Sequence, residues 1–161
     1  MTSDLEFTAR PNEPVVQISR LFRAPVDVVF DAWITREHLC RWWAPPGASV
    51  VECNVDLRVG GVYRYVLQAP EGGATVLDGH FVELDPPHRL VTNFARDSAP
   101  DDQVVEVTTF TESPGGAVVR IVSLHRSCAA RDAQLADGSM AIGMADQFAR
   151  LDEVLARSAS V

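Results

Sequence analysis

The stretch SMAIGMADQFARLDEVLAR, residues 139–157, carries the longest amphipathic pattern in the sequence. Its apolar side chains recur at intervals of four, four, three and four residues, which places them on one face of a helix: Met140, Met144, Phe148, Leu151 and Leu155. No proline interrupts the stretch, and its charged residues mostly occupy the other side. The sequence therefore predicts one long helix over 139–157, whose apolar face must be covered by a second layer.

Residues 49–125, in contrast, show the pattern of strands joined by turns. In SVVECNVDL, residues 49–57, apolar and polar residues alternate, which predicts a strand with one dry face and one wet face. The predicted dry face consists of Val51, Cys53, Val55 and Leu57. Turns are predicted at Gly60 and Gly61, at residues 70–74, at the corner formed by residues 85–87 and at residues 113–117, with a polar loop at 96–103. These breaks divide the region into six strands of an antiparallel meander.

Before this meander, the sequence predicts one strand and two short helices. Residues 15–22, VVQISRLF, alternate as a partly buried strand with Val16 and Ile18 on one face. The first helix has its apolar residues at positions i, i+3, i+4 and i+7: Val26, Val29, Phe30 and Trp33. The second helix begins after Thr35, which can cap it, and ends before Pro45. Its apolar residues are Leu39, Trp42 and Trp43.

These elements predict a single α+β domain over residues 1–161, with a folded core over about 14–157. The curved antiparallel sheet has one apolar face, and the long helix is the element that can cover it. Such an arrangement leaves a concave space between helix and sheet. Binding sites favour apolar concavities of this kind.

Composition and charge narrow the classes of partner. The chain of 161 residues is 47% hydrophobic and 22% charged, and its formal net charge is -8. Binding to nucleic acid through phosphates requires clustered lysine and arginine, so neither nucleic acid nor an anionic membrane is an expected partner. We find no signal peptide and no apolar run long enough to span a membrane, and we expect a cytoplasmic protein. The formation of a homodimer stays open.

The titratable residues show no motif for a metal or a catalytic centre. The three cysteines are far apart in the sequence and lack CxxC spacing, and the four histidines lack HExxH or HxxxH spacing. We therefore predict no metal site, no cofactor and no assigned catalytic residue. His80 and His125 remain the histidines that could act as a general base if they faced the cavity.

Four segments of the chain resemble a known family in the same order. These are FRAPVDVVFDAWITREHLCRWWAPPG, VDLRVGGVYRY, DGHFVELDPPHRLV and GMADQFARLDEVLA. They resemble the bacterial proteins named after the activator of heat-shock protein 90 ATPase, which belong to the START-like (SRPBCC) superfamily. The resemblance covers residues from about 14 to 157 and implies the helix-grip fold. Where the family often has Gly-Trp early in the long helix, this sequence has Gly143 followed by Met144.

The resemblance implies that a small hydrophobic molecule binds between the long helix and the sheet. The residues we expect to line this site are Trp33, Trp43, Tyr63, Tyr65, His80, Phe94, Met140, Met144 and Phe148. Met140, Met144 and Phe148 are equally suited to a core position, and of the adjacent pair Trp42 and Trp43 we expect at least one ring to be part of the core. Two alternatives stay open: an enzyme of the cyclase, dehydratase or hydrolase type that uses the same cavity, and an interaction module for a chaperone or a regulatory partner.

Overall fold

The computed structural model describes residues 5–44, 47–136 and 139–159, and within them it has eight strands and four helices. The strands are β1 (Glu6–Thr8), β2 (Val15–Phe22), β3 (Ser49–Val55), β4 (Val62–Gln68), β5 (Ala74–Asp85), β6 (Arg89–Arg96), β7 (Ala99–Ser113) and β8 (Gly116–His125). The helices are α1 (Val26–Ile34), α2 (Arg36–Trp42), α3 (Cys128–Leu135) and α4 (Ser139–Ala159). The predicted α+β class, the two short helices after the first predicted strand and the long C-terminal helix are confirmed.

All eight strands form one antiparallel sheet in the order β1-β2-β8-β7-β6-β5-β4-β3. The predicted six-stranded meander corresponds to β3 to β8 and is confirmed. Strand β2 joins this meander at its far end, where Ile18 lies opposite Ile121 of β8. The short edge strand β1 was not expected from the sequence; it adds Phe7 beside Ile18.

One face of this sheet, here called the inner face, packs against the helices. The C-terminal half of α4 is firmly buried, since Leu151 is 0% exposed and Phe148 is 2% exposed. The Phe148 ring lies 5.2 Å from the Phe22 ring of β2 and 5.9 Å from the Trp33 ring of α1. Burying each such side chain contributes about 1.5–3 kcal/mol. This aromatic cluster therefore fixes the C-terminal half of α4 to the sheet.

The first meander strand departs from the predicted alternation. Val51 is 56% exposed, although Cys53, two residues further on, is 1% exposed. A bulge between Val50 and Glu52 inserts one extra residue, which shifts the side chains before it to the opposite face. Leu57 lies beyond the end of β3 and is also exposed. The prediction that Val51 and Leu57 lie on the dry face is therefore wrong.

Three further local expectations are revised. The polar loop predicted at 96–103 is instead a tight turn, because β7 already begins at Ala99. Thr35 occupies the position before α2 without capping it through its side chain, since its hydroxyl donates to Asp31 of α1. Helix α3, not predicted, is capped by Ser127, whose Oγ accepts a hydrogen bond from the backbone N–H of Ala130.

The predicted turn at Gly60 and Gly61 is confirmed and has a steric basis. Gly60 has a φ of 82°, in the region that favours glycine. A Cβ on Gly61 would lie 2.1 Å from the carbonyl oxygen of Asp56. Both residues thus have to be glycine for β4 to follow β3 so closely.

Candidate functional site

Four polar side chains form a continuous row across the inner face of the sheet. Thr92 of β6 lies opposite Glu106 of β7, and Glu106 lies opposite Ser123 of β8. Tyr63 of β4 extends the row, because its side chain lies close enough to the hydroxyl of Thr92 for that hydroxyl to oppose the upward shift of its pKa. We call these four residues the polar row. It spans β4 to β8 on the face that the helices cover.

Gly79 makes this connection between β4 and β6 sterically feasible. It lies opposite Tyr63 in the intervening strand β5. A Cβ on Gly79 would lie 2.4 Å from Cζ of Tyr63 and 2.5 Å from its hydroxyl oxygen. The absence of a side chain at Gly79 therefore leaves the space in which the phenol ring crosses β5 towards Thr92.

Glu106 is the acidic member of the polar row. The hydroxyl of Ser123 donates a hydrogen bond of 3.0 Å to its Oε2. Burial raises the pKa of the Glu106 carboxyl, and the hydrogen bond from Ser123 opposes this shift only in part. Glu106 is nevertheless only half-buried by accessible surface. Burial likewise raises the pKa of Tyr63.

The residues next to the polar row are less tightly packed than those under the C-terminal half of α4. Phe94 of β6 and Met144 of α4 are only half-buried, as are Glu106 and Ser123 themselves. Further along the same face, Phe110 is 1% exposed. Among the described residues, surface is therefore accessible around Phe94, Glu106 and Ser123 in the middle of the sheet, whereas Phe148 and Leu151 of α4 are fully packed.

The end of α2 closes this region on the side of β4. The half-buried Trp43, which follows α2, places its ring 4.8 Å from the ring of Tyr65. The backbone carbonyl of Trp43 accepts a hydrogen bond from Gln147 of α4, and that of Ala44 accepts one from Arg150. Trp42 instead points into the core, with its indole N–H donating to the carbonyl of Ala32 at 3.0 Å. Of the tryptophan pair, Trp43 is therefore the residue beside the polar row.

A cleft of about 710 Å³ opens at the edge of the sheet formed by β3, β4 and β5. Its described lining residues come from both faces of these strands, from Asp56 just after β3 and from Arg36 of α2. They include Val55, Tyr63 and Gly79 of the inner face. This cleft reaches the Tyr63 end of the polar row, and Tyr63 is the predicted site residue among its lining.

The predicted site residues fall into three groups in the structure. Tyr63, Tyr65, Phe94 and Trp43 lie in or beside the polar row, and Met144 of α4 is a partly buried residue that packs against the core.

Trp33 and Phe148 are core residues, with exposed fractions of 8% and 2%. His80 is exposed and lies opposite Val62 on the outer face of the sheet, because it is one residue out of phase with Gly79 and Phe81. The prediction that His80 lines the space under α4 is therefore wrong. The side chain of Met140 lies outside the described residues.

His125, the other histidine singled out, is 6% exposed at the end of β8. It lies opposite Val104, on the inner face. Its Nε2 is buried and has no hydrogen-bond partner within the described part of the chain. Burial, followed by the charge of Arg131, lowers the pKa of His125, so its imidazole is neutral at neutral pH.

Sequence reasoning missed Glu106, the most chemically distinctive residue of the site. The segment VVEVTTF has apolar residues at both odd and even positions, so alternation alone does not show which face of the sheet Glu106 lies on. The signal was Phe110, a large aromatic residue four positions later. Residues four apart in a strand share a face, so a buried Phe110 places Glu106 on the inner face as well.

Within the described residues, no three His, Cys, Asp or Glu side chains lie close enough together to hold a metal ion. Across the same ranges, none of the helices combines the length and hydropathy that a membrane-spanning segment requires.

An antiparallel sheet that packs around a long C-terminal helix, with two short helices directly after β2, defines a helix-grip protein. The sequence profile of the family described as "Activator of Hsp90 ATPase homolog 1-like protein" matches residues 23–156. The chain belongs to this family. No curated protein matches the sequence significantly.

Solved bacterial structures agree with this fold. A protein from Rhodobacter sphaeroides has a TM-score of 0.87 at 24% identity, covering 96% of this chain and 99% of its own. A protein from Nitrosomonas europaea has a TM-score of 0.83 at 23% identity, covering 96% of this chain and 100% of its own. An AHSA1-like protein from Aeromonas hydrophila has a TM-score of 0.70 at 21% identity, covering 87% of this chain and 93% of its own. At these identities the likeness concerns the fold alone.

Proposed function

We propose that this protein binds a small, mostly hydrophobic molecule on the inner face of the sheet, under the N-terminal half of α4. The observation that carries the proposal is the contrast in packing along that face. Phe94 beside the polar row and Met144 of α4 retain accessible surface, whereas Phe148 and Leu151 in the C-terminal half of α4 are fully packed. Apolar walls with a few polar groups are typical of sites for small molecules.

The cleft between β3 and β5 provides the route by which such a molecule would enter. It connects the sheet edge to Tyr63, and the ring pair of Trp43 and Tyr65 lies beside this end of the row. Membership of the family supports ligand binding in general terms. We further propose that the protein acts in the cytoplasm, with neither nucleic acid nor membrane as a partner.

The test is a binding measurement with a neutral fluorescent hydrophobe, N-phenyl-1-naphthylamine, on the wild type and on Met144→Trp. The larger indole should fill the space that we propose for the ligand, so we expect at least a tenfold loss of affinity with little change in stability. Met144→Leu, which keeps the volume, is the matched control. Equal affinities for all three proteins would contradict the proposal, as would a wild type that binds neither this probe nor any molecule from a cell extract.

The polar row also favours a second candidate, an enzyme that uses the same space. Glu106 and Tyr63 are two titratable groups on one surface, and burial raises the pKa of both, which favours their protonated forms. An enzyme of this kind predicts that Glu106→Gln stops the conversion of a bound compound without preventing its binding. Mass spectrometry of compounds recovered from the wild type and from the variant tests this, and identical recovered compounds would contradict it.

A further inference from the structure

We propose that the ligand carries an uncharged oxygen acceptor, such as the carbonyl of a ketone, ester or amide, and that protonated Glu106 donates a hydrogen bond to it. This inference rests on the proposed binding function and specifies the chemistry of that site. Glu106 lies in the middle of the row, between Thr92 and Ser123, on a face that is otherwise largely apolar.

The hydrogen bond with Ser123 distinguishes the two oxygens of Glu106. Ser123 donates to Oε2, so Oε2 acts as the acceptor of the carboxyl group. Within the described part of the chain, Oε1 has no hydrogen-bond partner and belongs to no ion pair. A protonated carboxyl has one O–H donor, and with Oε2 accepting, that donor is Oε1.

The surroundings of Glu106 disfavour an anionic ligand. A carboxylate on the ligand would lose its hydration next to a buried acid and would find no paired cation among the described residues of the polar row. A neutral carbonyl needs only one donor. The Tyr63 hydroxyl, on the same face and linked to Thr92, is a second donor within the site.

Three naphthalenes substituted at the same ring position separate these contributions: ethylnaphthalene, acetonaphthone and naphthoate. They share a skeleton but present no acceptor, a neutral acceptor and an anion. We expect the wild type at pH 7 to bind acetonaphthone about tenfold more tightly than ethylnaphthalene, which is the effect of one good hydrogen bond. We expect naphthoate to bind more weakly than either.

Two variants of Glu106 test the role of the proton. Glu106→Gln keeps an acceptor for Ser123 and a neutral N–H donor on the other side, so it should retain the preference for acetonaphthone within about threefold. Glu106→Leu has no donor and should bind acetonaphthone no better than ethylnaphthalene. Circular dichroism checks that each variant folds. If Glu106→Leu does not fold, the wild type and Glu106→Gln decide the question through the ketone-to-carboxylate preference.

The outcomes separate this inference from the proposed function. If ethylnaphthalene binds but acetonaphthone gains nothing, or if naphthoate binds best, the role of Glu106 is wrong while ligand binding stands. If none of the three binds and the neutral probe N-phenyl-1-naphthylamine does not bind either, the proposed function itself fails.

Discussion

Arg20 of β2 and Asp152 of α4 form a two-point ion pair, with Nη1–Oδ1 at 2.9 Å and Nη2–Oδ2 at 2.5 Å. Arg20 is 8% exposed, and its Nη1 also donates to the carbonyl oxygen of Phe148. Its guanidinium carbon lies 4.5 Å from the centre of the Phe22 ring. A charged residue on the inner face is thus neutralised by the helix that covers it.

Removing the acidic partner should destabilise the fold. Asp152→Ala leaves the buried guanidinium of Arg20 without its anion, and we expect the free energy of unfolding to fall by about 2 kcal/mol. Glu83→Ala is the control, because the Glu83–Arg89 pair has both side chains more than 40% exposed and should contribute less than about 0.5 kcal/mol. Urea unfolding measures both. Equal losses would mean that Asp152 adds no more than a surface pair.

Gly79→Ala should disturb the site and the fold together. Its Cβ would collide with the Tyr63 ring and would lie 2.7 Å from the carbonyl oxygen of Asn93. We expect a loss of about 1–3 kcal/mol and displacement of the Tyr63 hydroxyl from Thr92. Gly73→Ala is the control, since a Cβ there meets nothing within 4 Å. Thermal unfolding of both variants is the measurement, and a Gly79→Ala protein as stable as Gly73→Ala would refute the expectation.

The thiols should differ sharply in reactivity. Cys53 is 1% exposed, and burial raises its pKa to about 11, whereas Cys40 is exposed. At pH 8 only about one Cys53 thiol in a thousand would be ionised. Iodoacetamide should therefore alkylate Cys40 and spare Cys53, with the sites identified by peptide mass spectrometry. Labelling in urea, where both should react, is the control; equal labelling of the native protein would contradict the burial of Cys53.

Glu106 should make stability depend on pH. Its folded pKa is raised above the ordinary glutamate value of about 4.3, so between these two values the native state binds more protons than the unfolded state. The contribution of Glu106 is complete below the ordinary value and is lost as the pH rises through the folded pKa. Glu106→Gln cannot ionise, so its stability relative to the wild type should increase with pH.

Denaturant titrations of both proteins between pH 5 and pH 9 measure this difference. His125 provides an internal check of opposite sign, because its pKa is lowered in the folded state. The wild type should therefore gain stability relative to His125→Gln as the pH rises towards about 6.5. A difference between wild type and Glu106→Gln that stays constant with pH would show that Glu106 is ionised in the native protein.

The sequence predicted the parts of the fold that depend on local pattern. The apolar stripe that includes Phe148 and Leu151 identified α4, and the glycines at 60 and 61 identified a turn, because helical periodicity and backbone sterics act within a few residues. The family resemblance supplied the way these parts assemble.

The features that the sequence did not predict depend on partners distant in the chain. The bulge before Glu52 turns Val51 towards the outer face. A bulge cannot be predicted from strand alternation alone, because it depends on how the strand pairs with its neighbour. The face of the sheet on which His80 lies is the one opposite to that of its neighbours Gly79 and Phe81, and it becomes clear only from the strand pairing. Glu106 escaped notice because both phases of its strand are apolar.

The hydrogen bonds from Gln147 and Arg150 to the carbonyls at the end of α2 act as a spacer for α4. They attach the helix to the end of α2 beside its firmly buried residues Phe148 and Leu151. In the binding mode that we propose, this attachment would fix the distance between α4 and the sheet whether or not a ligand is bound. The empty protein should hold the same opening as the loaded one, so small molecules would be selected by length and shape before any rearrangement of the chain.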